Sequence, residues 1–191
     1  MPRILFAYLL AVVLIGALAV PAGAQTVAAP TPLMGGSAFG EANPADALRI
    51  AGEDAKLLSN GKAAAPAGAP EAVQQAIAAA NQIIGRPYIY GGGHRSFLAR
   101  GYDCSGTVSF ALHGGDLLSS PLDSSSFLRW GASGLGDWIT IYTNPGHMFV
   151  VIAGLRLDTS AAGDPRGGKG PRWRPTLRST SGFRARHPAG L

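Results

Sequence analysis

Asp103-Cys104-Ser105-Gly106 stands just past the middle of a 191-residue chain and holds its one cysteine. With no second cysteine, an intramolecular disulfide is excluded. Downstream, Val108, Ala111 and Leu112 recur at spacings of three and four, which predicts a helix over Ser105 to Leu112. Asp103 then takes the N-cap, its carboxylate accepting from N–H groups one or two residues past Cys104. A thiol in the first helical turn faces unpaired backbone N–H groups and the positive dipole end, both of which favour thiolate. Thiolate is the attacking form, so the placement suits a nucleophile. A small buried hydrophobe is the other common use of a free cysteine.

Working outward, the loop Pro87-Tyr88-Ile89-Tyr90-Gly91-Gly92-Gly93 precedes the cysteine. Before it, Pro70 opens a predicted helix over Glu71 to Ile84, with Val73, Ala76, Ile77, Ala80, Ile83 and Ile84 as one apolar stripe. After the cysteine helix, Gly114 to Gly136 reads as loop. Trp138 to Tyr142 and Met148 to Ile152 read as strands, the second apolar on both faces. Thr143-Asn144-Pro145-Gly146 turns between them and delivers His147 to the start of the second strand. Ala153-Gly154 makes a tight turn into Leu155 to Asp158, and Asp164 to Leu191 reads as irregular chain with one or two short strands. This order predicts an α+β fold, a nucleophile helix packed on a small antiparallel sheet.

The N-terminus begins Met1-Pro2-Arg3, runs apolar from Ile4 to Val20 and reaches Pro21-Ala22-Gly23-Ala24. That pattern fits a signal peptide cleaved after Ala24, with an uncleaved membrane anchor as the alternative. The expected location is therefore secreted, in periplasm or cell wall. Residues 25–70, rich in Ala, Pro and Gly, are expected to be a flexible linker, with a short helix around Ala45 to Leu58 as an option. Residues 71–191 are expected to form one domain. The net charge of +5 is uneven: seven of 16 Lys and Arg lie from Arg166 onward, where there is no acid, leaving nine against 11 acids before it. Such a tail suits either an anionic wall polymer or a core-wrapping extension. The glycine runs lack the Lys-Ser/Thr of a phosphate loop, and the scattered His give no zinc spacing, so no cofactor or metal is expected. Nucleic-acid binding is not expected, and the chain is read as a monomer.

A nucleophilic cysteine needs a base, and the base needs an orienting group. Of His94, His113, His147 and His187, His147 alone opens a predicted buried strand. Asp158 ends the next strand of the hairpin, where it can hold one ring nitrogen while the other faces Cys104. Read singly, His147 also fits a solvated edge histidine, and Asp158 a turn-initiating residue before Thr159-Ser160.

Together these residues resemble the NlpC-type papain-like cysteine peptidases, bacterial enzymes that cut cell-wall peptides. The family pattern stands in order as Pro87-Tyr88-Ile89-Tyr90-Gly91-Gly92, Asp103-Cys104-Ser105-Gly106, Gly136-Asp137 and Gly146-His147. The resemblance implies Cys104 as nucleophile, His147 as base, Asp158 in a third position often held by histidine, and Tyr88 over the nucleophile. It implies stem peptides of peptidoglycan as substrate, cut at a bond involving D-glutamate and diaminopimelate. The insertion His94-Arg95-Ser96-Phe97, the run Ala153 to Leu157 and the basic extension depart from the pattern. An amidase or acyl transferase on the same fold, and a non-catalytic wall-binding module, are the competing readings.

Overall fold

The structure, a computed structural model, describes residues 49–50, 52–165 and 167–191. The apolar segment 1–24 and the residues between it and Arg49 lie outside the described residues. Among the described residues, no helix is long and apolar enough to cross a membrane.

Alanine-rich sequence builds the first layer. Strands β1 (Arg49–Ile50), β2 (Lys56–Leu57) and β3 (Ala63–Pro66) form a sheet ordered β1-β3-β2. The expectation of flexible linker through Pro70, and of a helix around Ala45 to Leu58, is corrected for these residues. Ala63, Ala64 and Ala65 are almost fully buried, because α1 (Glu71–Ile83) lies against β3. Asn81 of α1 binds the Ala63 backbone twice: its Oδ1 accepts from Ala63 N and its Nδ2 donates to Ala63 O, both at 2.8 Å. Small side chains permit this close approach, which composition alone cannot distinguish from linker. The predicted stripe of α1 is buried at Val73, Ala76, Ile77, Ala80 and Ile83.

Helix α2 (Cys104–Gly114) packs on α1 and begins one residue ahead of the expected Ser105–Leu112. The stretch read as loop contains one helical turn, α3 (Ser124–Phe127), capped by Asp123 Oδ1 on Ser126 N at 2.8 Å. Six strands then follow: β4 (Ala132–Ser133), β5 (Ile139–Asn144), β6 (His147–Ile152), β7 (Leu155–Asp158), β8 (Arg172–Arg174) and β9 (Arg184–His187). They form one antiparallel sheet ordered β4-β9-β5-β6-β7-β8. The basic tail is therefore built into the sheet at two places, with Trp173 at 3% exposure.

Side chains alternate across β6. Met148, Val150 and Ile152 enter the core with Ile139, Ile141, Leu157, Val108 and Leu112. His147 and Phe149 take the other face. Ile152 pairs with Leu155 across a two-residue turn in which Ala153 (φ 45°) and Gly154 (φ 75°) are both left-handed. That is the turn geometry whose twist matches a hairpin.

Candidate active site

Cys104 is the first residue of α2 and is partly buried. Asp103, 3% exposed, caps the helix by accepting from Gly106 N at 2.8 Å. Its other oxygen accepts from Gly91 N at 3.0 Å, which ties the glycine loop to the start of α2. The loop then packs directly on the first turn. A Cβ on Gly106 would overlap the Gly92 carbonyl oxygen, and one on Gly93 would fall 2.8 Å from Gly106 Cα. Only glycine fits this contact.

His147 and Asp158 come together as the hairpin reading expects. His147 Nε2 lies 2.9 Å from Asp158 Oδ1, which also accepts from Ser160 N at 2.8 Å. Cys104 lies close enough to act on the ring electrostatically as well. Since Nε2 serves the carboxylate, Nδ1 is left for the thiol. Burial penalises the imidazolium, but hydrogen bonds and negative charge from Asp158 and Cys104 outweigh it and raise the His147 pKa to about 9.

Tyr88 stands at the same place, 43% exposed. Burial, then the negative charges of Cys104 and Asp103, push its phenol up from its ordinary value. A phenol that keeps its proton remains a donor. A cleft of about 370 Å³ is lined by Tyr88, His147, Thr159, Ser160, Ala161 and Lys169.

The remaining histidines are placed elsewhere. His113 stacks on Phe97 at 3.8 Å and donates through Nδ1 to Leu118 O at 3.0 Å, which anchors the inserted loop. His187 Nδ1 donates to Gly134 O at 3.1 Å. His94 is the residue that sequence reasoning passed over. Its Nε2 lies 2.8 Å from Asp103 Oδ2 and 2.8 Å from Ser105 Oγ, so it grips both neighbours of Cys104. One nitrogen makes both contacts and Ser105 is 2% exposed, so this trio has no relay geometry. Among the described residues no group of three or more His, Cys, Asp or Glu is placed to hold a metal ion.

No family model matches the sequence, and no curated protein does. Among solved structures, the chain is similar to the peptidoglycan hydrolase RipB from Mycobacterium tuberculosis. That likeness has 21% identity and a TM-score of 0.46, covering 61% of this chain and 64% of that one. A hypothetical invasion protein of Mycobacterium tuberculosis is similar at 20% identity and a TM-score of 0.44, covering 62% and 65%. The chain spans less than two thirds of either structure.

Proposed function

We propose that the chain is an exported cysteine hydrolase that cuts stem peptides of peptidoglycan. The carrying observation is the His147 ring, held by Asp158 through Nε2 at 2.9 Å with Cys104 close enough to act on it electrostatically. In this reading His147 Nδ1 takes the Cys104 proton and the thiolate attacks the scissile carbonyl carbon. The oxyanion accepts from the Tyr88 hydroxyl and the Cys104 backbone N–H. His147 then gives its proton to the leaving amine as the C–N bond breaks, which leaves a thioester on Cys104. Water, losing a proton to His147, attacks the thioester, releases the new carboxylate and restores the thiol. The resemblance to the NlpC-type peptidases points to a bond involving D-glutamate and diaminopimelate as the target, and the N-terminal segment supports export.

Most tail cations are engaged within the fold. Arg172, Arg174, Arg178 and Arg186 donate to carbonyls or carboxylates. Lys169 faces the catalytic cleft, and Arg184 lines a second cleft of about 380 Å³ with Arg129. Among the described tail cations, attraction of anionic wall polymers therefore narrows to Lys169 and Arg184.

The test is digestion of purified peptidoglycan by the parent and by Cys104→Ala, with fragments identified by mass. The parent is expected to release peptides with new termini at the D-glutamyl bond, and the variant none. Equal release by both proteins, or wall binding without cleavage by either, overturns the reading.

A further inference from the structure

The tail also reaches the back of the His147–Asp158 pair. Asp158 Oδ1 faces His147 and Ser160 N. Its Oδ2 accepts from Arg178 Nη1 at 3.3 Å, and Arg156 Nε lies 3.9 Å from the same oxygen. Arg156 is fully buried and none of its nitrogens has a hydrogen-bond partner among the described residues, so it supplies charge without a bond. Arg178 supplies the bond. Its guanidinium lies over Phe149 and Phe183, 5.4 Å from each ring centroid. Phe183 in turn meets the His147 ring edge-on at 6.3 Å. Phe149 shares its strand face with His147, so the segment carrying Arg178 and Phe183 lies against the catalytic face.

We propose that Arg178 is a positioning residue of the hydrolytic site, fixing the Asp158 carboxylate in the orientation that His147 requires. The inference rests on the cysteine-hydrolase reading. A carboxylate fixed at one oxygen can still turn about its Cβ–Cγ bond; a donor on the second oxygen stops that turn. A cation there also draws charge away from the oxygen facing His147 and repels the imidazolium directly, so it tempers the basicity of the ring. The other charged groups around the pair are Cys104 on α2, Tyr88 in the preceding loop, Arg156 on β7 and Lys169 at the cleft. Arg174 on β8 donates to the Asp158 carbonyl and is paired with Asp164 at 2.8 Å.

The experiment compares the full chain with Arg178→Gln and Arg178→Lys in three measurements: kcat and KM against pH on peptidoglycan, His147 ring titration by NMR, and melting. Gln removes the charge and keeps bulk between the two phenyl rings. It is expected to lower kcat roughly three- to tenfold with KM little changed, and to raise the His147 titration by about half a unit to one unit. Lys keeps the charge, so the titration is expected to stay with the parent and kcat to recover in part. Parental kcat and an unmoved His147 titration in Arg178→Gln, whatever its melting point, overturns the inference. If the titration moves as expected while even the parent leaves peptidoglycan intact, Arg178 still holds the pair and the hydrolase reading is what falls.

Discussion

His147 and Asp158 meet diagonally across the β6–β7 hairpin. Val150 pairs with Leu157, so Phe149 comes level with Asp158 and His147 lies one same-face step further along. Diagonal neighbours on an antiparallel pair are about 7–8 Å apart at the backbone, a span that a histidine ring and a carboxylate can close. The two-residue turn at Ala153-Gly154 fixes that register, and a slip of one residue would carry either partner to the opposite face.

Asp158→Asn tests the charge in this pair. Its side chain is fully buried with Arg156 and Arg178 beside it. Asn keeps the shape, so we expect the rate to fall by one to two powers of ten, about 1.4–2.7 kcal/mol of barrier. The alkaline limb should move to lower pH, since His147 loses a partner that favours its proton. Melting should fall as well, because one-sided loss from a buried ion cluster costs about 3–5 kcal/mol. Parental rate and an unmoved pH profile would reduce Asp158 to a turn residue.

The raised pKa of His147 has a definite sign. The fold favours the imidazolium, so its contribution to stability is complete below about 6.5, the ordinary histidine value. That contribution drains away as pH rises through about 9. Activity that needs the thiolate–imidazolium pair should hold to the same limit and then decline. Cys104→Ala removes one of the raising partners, and NMR should find the His147 titration lower in that variant. A His147 titration near 6.5 in the parent would contradict the pairing.

Gly106→Ala tests the contact between loop and helix. Its methyl would overlap the Gly92 carbonyl, and backbone on both sides leaves no flexible group to yield. Overpacking of this kind costs about 1–3 kcal/mol. The displaced loop carries Tyr88, so activity should drop by more than the melting shift explains. A variant with parental kcat would mean that the position of the loop is immaterial to the chemistry.

His94→Ala is expected to be mild but measurable. Asp103 keeps its bonds to Gly106 N and Gly91 N, so the helix start survives. Loss of one hydrogen bond to a carboxylate is worth about 1.5–3 kcal/mol at most. We expect a rate lowered by about tenfold, with His113→Ala and His187→Ala affecting melting more than rate. Unchanged kinetics in His94→Ala would return that residue to the role of bystander.

Truncation after Pro165 separates the two readings of the tail. It deletes β8 and β9 and uncovers the core around Trp173. The expected outcome is a large fall in melting temperature and loss of activity. A truncated protein that melts with the parent, and loses only wall binding at low salt, would restore the tail as a solvated anion-binding arm.

Periodicity made α1, α2 and the β5–β6–β7 meander legible, because each buries one face against its neighbours. The hairpin then put Asp158 within reach of His147 by counting residues. The alanine strand β3 was hidden, since its pairing depends on Asn81 and on a helix that offers a flat alanine surface. Arg178 and Phe183 were hidden for another reason. They reach the site through long-range placement of the tail, and no local pattern marks a residue as the far support of a carboxylate. His94 carried a faint signal, a histidine directly after a glycine run that must fold onto the Asp103 cap.

The insertion of β9 between β4 and β5 bears on when the protein becomes competent. During synthesis Cys104, His147 and Asp158 all emerge before Arg178, which is 20 residues beyond Asp158, and before the strand that seals the flank of β5. Pairings of such sequence separation form late, because loop closure must precede any gain from them. On the cysteine-hydrolase reading, a growing chain thus carries Cys104 and His147 before Arg178 and β9 can support their arrangement, and full reactivity waits for that support.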